Sequence, residues 1–354
     1  MPHRVVSLSW PGLLLATALA VPLAGCAPQV VPDGPPALGF RLDAAQIAAP
    51  IPSGAAPAAP LAAPVTADDG ALLPHRVWPA TAGPPRAILL ALHGFNEHSG
   101  NFLLDSVGAL NAAGIEVHAI DQRGFGRAPS RGYWAGTDVM VADAAAAARQ
   151  LHAIHPGLPL YLMGESMGAA IALLAVTAPG PPPIDGLVML APAFWSRDAI
   201  GPVGIGIFWT LAHSVPALAF RGTAAGISAS DNTEALRRNG RDPLVIKDTR
   251  VDAAWGLLDA MDRATAALPR CCAIPTLILQ GSKDSVVPPD VTRRSLRRMA
   301  PGPRLARYEG GYHLLLRDSV RQVVTADLLA WMASPRVALP SGADRAGAAW
   351  LAAP

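Results

Sequence analysis

From about residue 67 the chain alternates apolar runs of strand length with longer runs of helical period. Residues 73–78, 86–92, 115–120, 159–163, 184–190, 276–280 and 305–308 read as strands. Residues 101–113, 137–155, 252–267, 291–299 and 319–332 read as helices, the first closed by Gly114 and the second by Pro156 and Gly157. Strands that are apolar at nearly every position, separated by helices, predict an α/β fold: a mainly parallel sheet with both faces covered.

The rhythm fails in four places. Residues 191–250 interrupt it with an apolar part at 200–220 and a polar part at 231–248. This predicts a cap inserted over the strand ends, whose apolar residues line an acyl pocket, meet a membrane, or form only the cap's own core. Residues 336–354 show no clear period and read as a loose tail. Residues 27–66 are rich in Pro and Ala and poor in large apolar side chains, so they read as a semi-extended linker. Residues 1–26 carry Arg4, an apolar run at 13–24 too short to span a bilayer, and then Leu23, Ala24, Gly25 and Cys26. That ending resembles the lipobox of bacterial lipoproteins. It implies lipidation of Cys26 and a membrane-anchored protein of the cell envelope, on the periplasmic side. The alternative is an ordinary cleaved signal peptide.

Composition narrows the classes. The 354 residues suffice for one large domain or two small ones, at 51% hydrophobic and 15% charged. The net charge of +2 is scattered and nearly all on Arg, with Lys247 and Lys283 the two lysines. No basic, aromatic patch suggests nucleic acid. No Cys/His spacing reads as a metal site, and nothing calls for a cofactor. Cys271 and Cys272 are expected to be two small buried residues rather than a bridged pair.

The chemistry concentrates at residues 160–175. An apolar strand meets Gly164-Glu165-Ser166-Met167-Gly168, then an Ala/Leu-rich helix. Gly-x-Ser-x-Gly in that setting is a nucleophile elbow, with Ser166 at the tip of the sheet. A Ser hydroxyl needs a base, and the base needs an acid to hold its tautomer. In elbow enzymes both follow the Ser in chain order. Only His213 and His313 come later. His213 falls in the cap segment, whereas His313 sits in a Gly-rich loop just past a strand. Asp284 follows the strand at 276–280 by a short turn and is the expected acid. Its competitor Asp290 is expected to cap a helix. The oxyanion needs two aimed amide N–H groups. Met167 supplies one, and the loop His93-Gly94-Phe95-Asn96-Glu97-His98 supplies the other from Phe95. His93 is expected to brace that loop, and the stretch from Asp121 to Gly126 to pack behind it.

Five motifs occur in a familiar order: residues 93–99, 121–126, 164–168, 281–284 and 310–313. Over residues 67–335 the chain resembles the α/β-hydrolase superfamily, within it the monoacylglycerol lipase and lysophospholipase group, also described as serine aminopeptidase S33-like. The resemblance implies Ser166, Asp284 and His313 as the triad, with Phe95 and Met167 as the oxyanion hole. Many members have His at the position of Glu165, so this chain departs from them beside the nucleophile. The expected activity is hydrolysis of single-chain lipid esters, with a lipid or ester substrate as partner. The alternatives are a small-ester esterase or acyltransferase using the same triad, and a non-catalytic envelope lipoprotein that binds lipid or a partner.

Overall fold

The structure, a computed structural model, describes residues 28–31, 61–128, 130–221 and 227–354. Its centre is a seven-stranded sheet: β1 (His75–Trp78), β2 (Ala87–Leu92), β3 (Ile115–Ile120), β4 (Leu160–Glu165), β5 (Gly186–Leu190), β6 (Thr276–Gly281) and β7 (Arg304–Tyr308). The spatial order is β7-β6-β5-β4-β2-β3-β1, with every neighbouring pair parallel except β3 with β1. The predicted strand at 73–78 is broken at Pro74: residues 72–73 pair with 65–66, and β1 starts afterwards. All six residues of β2 are buried, as an interior parallel strand requires.

The pleat sends alternate residues to opposite faces. Ile88, Leu90 and Leu92 pack with the helices α2 (Thr137–Ile154), α3 (Met167–Thr177) and the later α6 (Val251–Ala267), whereas Leu89 and Ala91 pack on the other face. That second face is covered by α1 (Val107–Ala112) and α8 (Arg321–Ala333). Helix α1 is shorter than predicted, because residues 101–106 form turns tied sideways by Asn101 to Asn239 and by Ser106 to the carbonyl of Leu316. Between β5 and α6 lies the cap, with α4 (Gly201–Ser214) and α5 (Thr233–Arg241). After β6 comes α7 (Pro289–Leu296).

One expectation at the chain ends is corrected. Residues 336–354 are no loose tail: α9 (Ala343–Ala352) packs along β7. Its small residues allow this; a Cβ at Gly347 would lie 2.2 Å from the carbonyl oxygen of Leu305. The linker expected at 27–66 is held at both described ends. The N–H of Val31 donates to Trp134 and that of Ala62 to His75, so backbone groups find partners on the domain. Its remaining residues, and the expected signal segment with Cys26, lie outside the described residues. Cys271 is buried and Cys272 half-buried, with their sulfurs side by side. Among the described residues no helix is long and apolar enough to cross a membrane.

Candidate active site

β4 ends at Glu165 and α3 begins at Met167, so one residue makes the turn. Ser166 takes it with φ 55° and ψ −113°, a conformation L-residues rarely adopt. The surroundings hold it there. Its N–H donates to Leu190 at 2.9 Å, and its carbonyl accepts from Ala193 at 3.2 Å and Ala169 at 3.1 Å. The flanking glycines are steric necessities: a Cβ at Gly164 would lie 2.2 Å from the Gly168 carbonyl, and one at Gly168 would lie 2.3 Å from that of Leu92.

The loops after β6 and β7 are zipped together. Lys283 N–H donates to Gly311 at 2.8 Å and Ser282 N–H to Tyr308 at 2.9 Å. This brings Asp284 to His313, whose Nδ1 lies 2.8 Å from Asp284 Oδ2. Asp284 Oδ1 accepts from the N–H groups of Val286 and Val287, each at 2.9 Å, so the carboxylate is fixed. With Nδ1–H donated to Asp284, Nε2 of His313 keeps its lone pair. Burial would lower the proton affinity of this imidazole. The charge and hydrogen bond of Asp284, with the charges of Glu165 and Glu97, outweigh burial and hold His313 above its ordinary value. Asp290 is not the N-cap: it is the second residue of α7, in the first turn, paired with Arg293. His213 lies on cap helix α4, stacked on Trp209, and does not line the cleft.

The loop after β2 sits against the elbow, Gly94 abutting Ser166. Among the described residues neither Phe95 nor Met167 has a protein acceptor for its N–H. His93 braces the loop as expected. Gln122 N–H donates to its Nε2 at 3.1 Å, so Nδ1–H is the donor to Gly94 O at 2.8 Å. Asp121 lies behind, accepting from Ser99 N–H and Arg127 N–H, both at 2.8 Å. His98 and Asn96 tie the same loop to the cap, through Asp242 at 2.8 Å and Thr249 at 2.7 Å.

Two residues at the site were not singled out from the sequence. Arg317, one turn beyond His313, is buried and paired with Glu97 at 2.6 and 2.9 Å, and also with Glu165. Two carboxylates therefore share one guanidinium beside Ser166. Burial and the nearby charge of Glu97 push Glu165 up to about 8, while Arg317 holds Glu97 low despite burial. The signal in the sequence was a lone Arg closing the apolar run 314–316.

Ser166 and His313 open into one cavity of about 900 Å³. Its walls include Phe95, Trp195, Phe208, Phe220, Leu257 and Met261. Cap helix α4 thus lines the cleft through Phe208, while Val203, Ile207 and Trp209 face solvent. Ala212 is its one buried residue, so the helix is not merely the cap's own core.

Residues 83–320 match the family described as Serine aminopeptidase, S33. The monoacylglycerol lipase of Mycolicibacterium smegmatis is 27% identical over 277 residues, covering 75% of this chain and 94% of that protein. The human monoglyceride lipase is 30% identical over 258 residues, 71% of this chain and 82% of that protein. Among solved structures, the monoacylglycerol lipase of Paleococcus ferrophilus superposes with a TM-score of 0.62 at 24% identity, over 74% of this chain and 98% of that one. On the matched residues, and with the elbow and parallel sheet that carry them, the chain belongs to the serine aminopeptidase S33 family of α/β-hydrolases.

Proposed function

We propose that this enzyme, a serine ester hydrolase, cleaves single-chain lipid esters of the monoacylglycerol or lysophospholipid kind. One observation carries the reading: Ser166 and His313, the latter fixed on Asp284, open into a cleft walled by aromatic and aliphatic side chains. In the proposed reaction Ser166 Oγ attacks the ester carbonyl while His313 Nε2 takes its proton. The N–H groups of Phe95 and Met167 stabilise the oxyanion. The carbon–oxygen bond to the alcohol breaks, and His313 returns the proton to that alcohol. Water, deprotonated by His313, then attacks the acyl-enzyme and frees Ser166 and the fatty acid. Asp284 stays ionised and holds the imidazole.

The acyl chain would lie along the cap side of the cleft, and the exposed apolar residues of α4 suit contact with a lipid–water interface. Lipidation of Cys26 would hold the enzyme at such an interface in the cell envelope. A panel of monoacylglycerols, lysophospholipids and p-nitrophenyl esters of increasing chain length tests the substrate class. Higher kcat/KM for medium and long single-chain esters than for acetate supports it. Rates that fall steadily with chain length would favour a small-ester esterase. Loss of a radiolabelled fatty-acid signal in Cys26→Ser tests the anchor.

A further inference from the structure

Far from the cleft, four side chains form a row that lacks one positive charge. His75 Nδ1 lies 3.1 Å from the carbonyl oxygen of Ala63, which can only accept, so that nitrogen carries the proton. His75 Nε2 is therefore a lone pair, and it faces His118 Nδ1 at 3.0 Å. His118 must donate from Nδ1, which leaves its Nε2 as the lone pair of a neutral ring. That lone pair faces Glu116 Oε1 at 2.9 Å. Two acceptors at hydrogen-bond distance repel unless a cation lies between them. His155 Nε2 approaches the same carboxylate oxygen at 3.4 Å.

We propose that Glu116, His118 and His155 bind a divalent transition metal of the zinc class. One donor atom from each lies within 4.8 Å of the others. Zinc bonds of about 2.0–2.1 Å to nitrogen and oxygen put tetrahedral ligand atoms roughly 3.3–3.5 Å apart; Glu116 lies 2.9 and 3.4 Å from the two imidazole nitrogens, and these lie within 4.8 Å of each other. Two imidazoles and a carboxylate are a usual zinc donor set. The bond from His118 Nδ1–H to His75 is the outer hydrogen bond that fixes a metal-bound ring. The competing filler is a proton, making His118 an imidazolium. His118 is buried, with its ring stacked on that of His75 and edge-on to that of His155. Glu116 and His155 are partly exposed, which gives an ion a way in.

The position assigns the ion a structural role. Glu116 is in register with Ile88, and Ile88 with Leu160, the first residue of β4. Ser166 lies beyond the other end of β4, about 20 Å along the strand at 3.3 Å per residue. The metal would clamp the end of α2 to β3 without touching the ester chemistry. Residues 116 and 118 meet residue 155 only through folding, which is why no ligand spacing is visible in the chain.

The test uses the untagged full chain, stripped with EDTA, loaded with Zn²⁺, desalted and measured by plasma mass spectrometry. Wild type should retain about one zinc per chain, and His155→Ala and Glu116→Gln at least about tenfold less, as expected for losing a ligand. Both changed residues are partly exposed, and circular dichroism establishes that the variants fold. Zinc should raise the melting temperature of wild type and not of His155→Ala. Equal zinc retention in wild type and variants overturns the site, as does no retention in any. So does a ¹⁵N NMR spectrum with a proton on His118 Nε2 in the zinc-loaded protein. Hydrolysis of a short p-nitrophenyl ester should be unchanged by zinc or by His155→Ala, so this proposal and the ester-hydrolase reading fail separately.

Discussion

Arg317 joins Glu165, the residue immediately before Ser166, to Glu97 on the loop that carries Phe95. Through one guanidinium the nucleophile turn, the proposed oxyanion loop and the histidine loop are held in a single charged cluster. Removing one member of a buried cluster leaves charge without a partner, which costs about 3–5 kcal/mol. Arg317→Ala should therefore lower unfolding free energy by about that much in urea denaturation. A loss under about 1 kcal/mol would place it with ordinary surface pairs and remove this cluster from the account.

The same cluster sets a pH dependence of stability. Glu165 is raised from 4.5 to about 8, so the folded protein binds this proton more tightly than the unfolded chain. Its contribution is complete below the ordinary value and is lost as pH rises from about 4.5 to about 8. Glu97, held low by Arg317, contributes with the opposite sign at acid pH. Glu165→Gln, neutral at every pH, should flatten the decline in stability across that window. Denaturation midpoints at pH 5, 7 and 9 measure it, and an unchanged slope would contradict the raised proton affinity of Glu165.

His313 gives a second pH signature. As the proposed base it must be neutral, and its proton affinity is raised above the ordinary value of 6.5. The rate should rise with pH along a limb centred above 6.5. A pH–rate profile of kcat/KM on a soluble ester reads it.

The elbow makes a steric prediction. Gly168→Ala drives a methyl against the Leu92 backbone at 2.3 Å, whereas Gly94→Ala meets Ser166 Cβ at 3.5 Å, an ordinary contact. Overpacking typically costs about 1–3 kcal/mol and occasionally more. The first variant should reach or exceed the top of that range, because backbone on both sides has nowhere to move. The second should stay within about 1 kcal/mol of wild type. Thermal melts of the two, compared directly, decide it.

The exposed face of α4 predicts a split between substrates. Val203, Ile207 and Trp209 are 76%, 59% and 52% exposed, so changing Ile207 and Trp209 to Ser should leave folding intact. Turnover of a dissolved short ester should stay within about twofold, while turnover of micellar long-chain ester falls, because less apolar area enters the interface. Equal losses on both substrates would assign the helix to the cleft alone.

The sheet was legible in the chain because interior parallel strands must be apolar at every position, as in β2, and helices between them must show a different period. Ser166, Asp284 and His313 were legible because strand-to-loop positions and chain order leave few candidates, and the structure brings the last two into contact. Arg317 and Glu97 were not. A buried cation reads like any other Arg until its carboxylates arrive from a strand end and a loop, 152 and 220 residues away. Helix α9 was hidden for a related reason: its Ala and Gly residues are weakly patterned, and only docking against β7 explains them.

If Ser166 is the nucleophile of an ester hydrolase, turnover of a medium-chain p-nitrophenyl ester by Ser166→Ala, with circular dichroism to establish folding, should fall in kcat by a factor on the order of 10⁶, the scale seen when a triad Ser is removed elsewhere, and fluorophosphonate labelling should be lost. A folded Ser166→Ala protein that turns over the ester at the wild-type rate would contradict it.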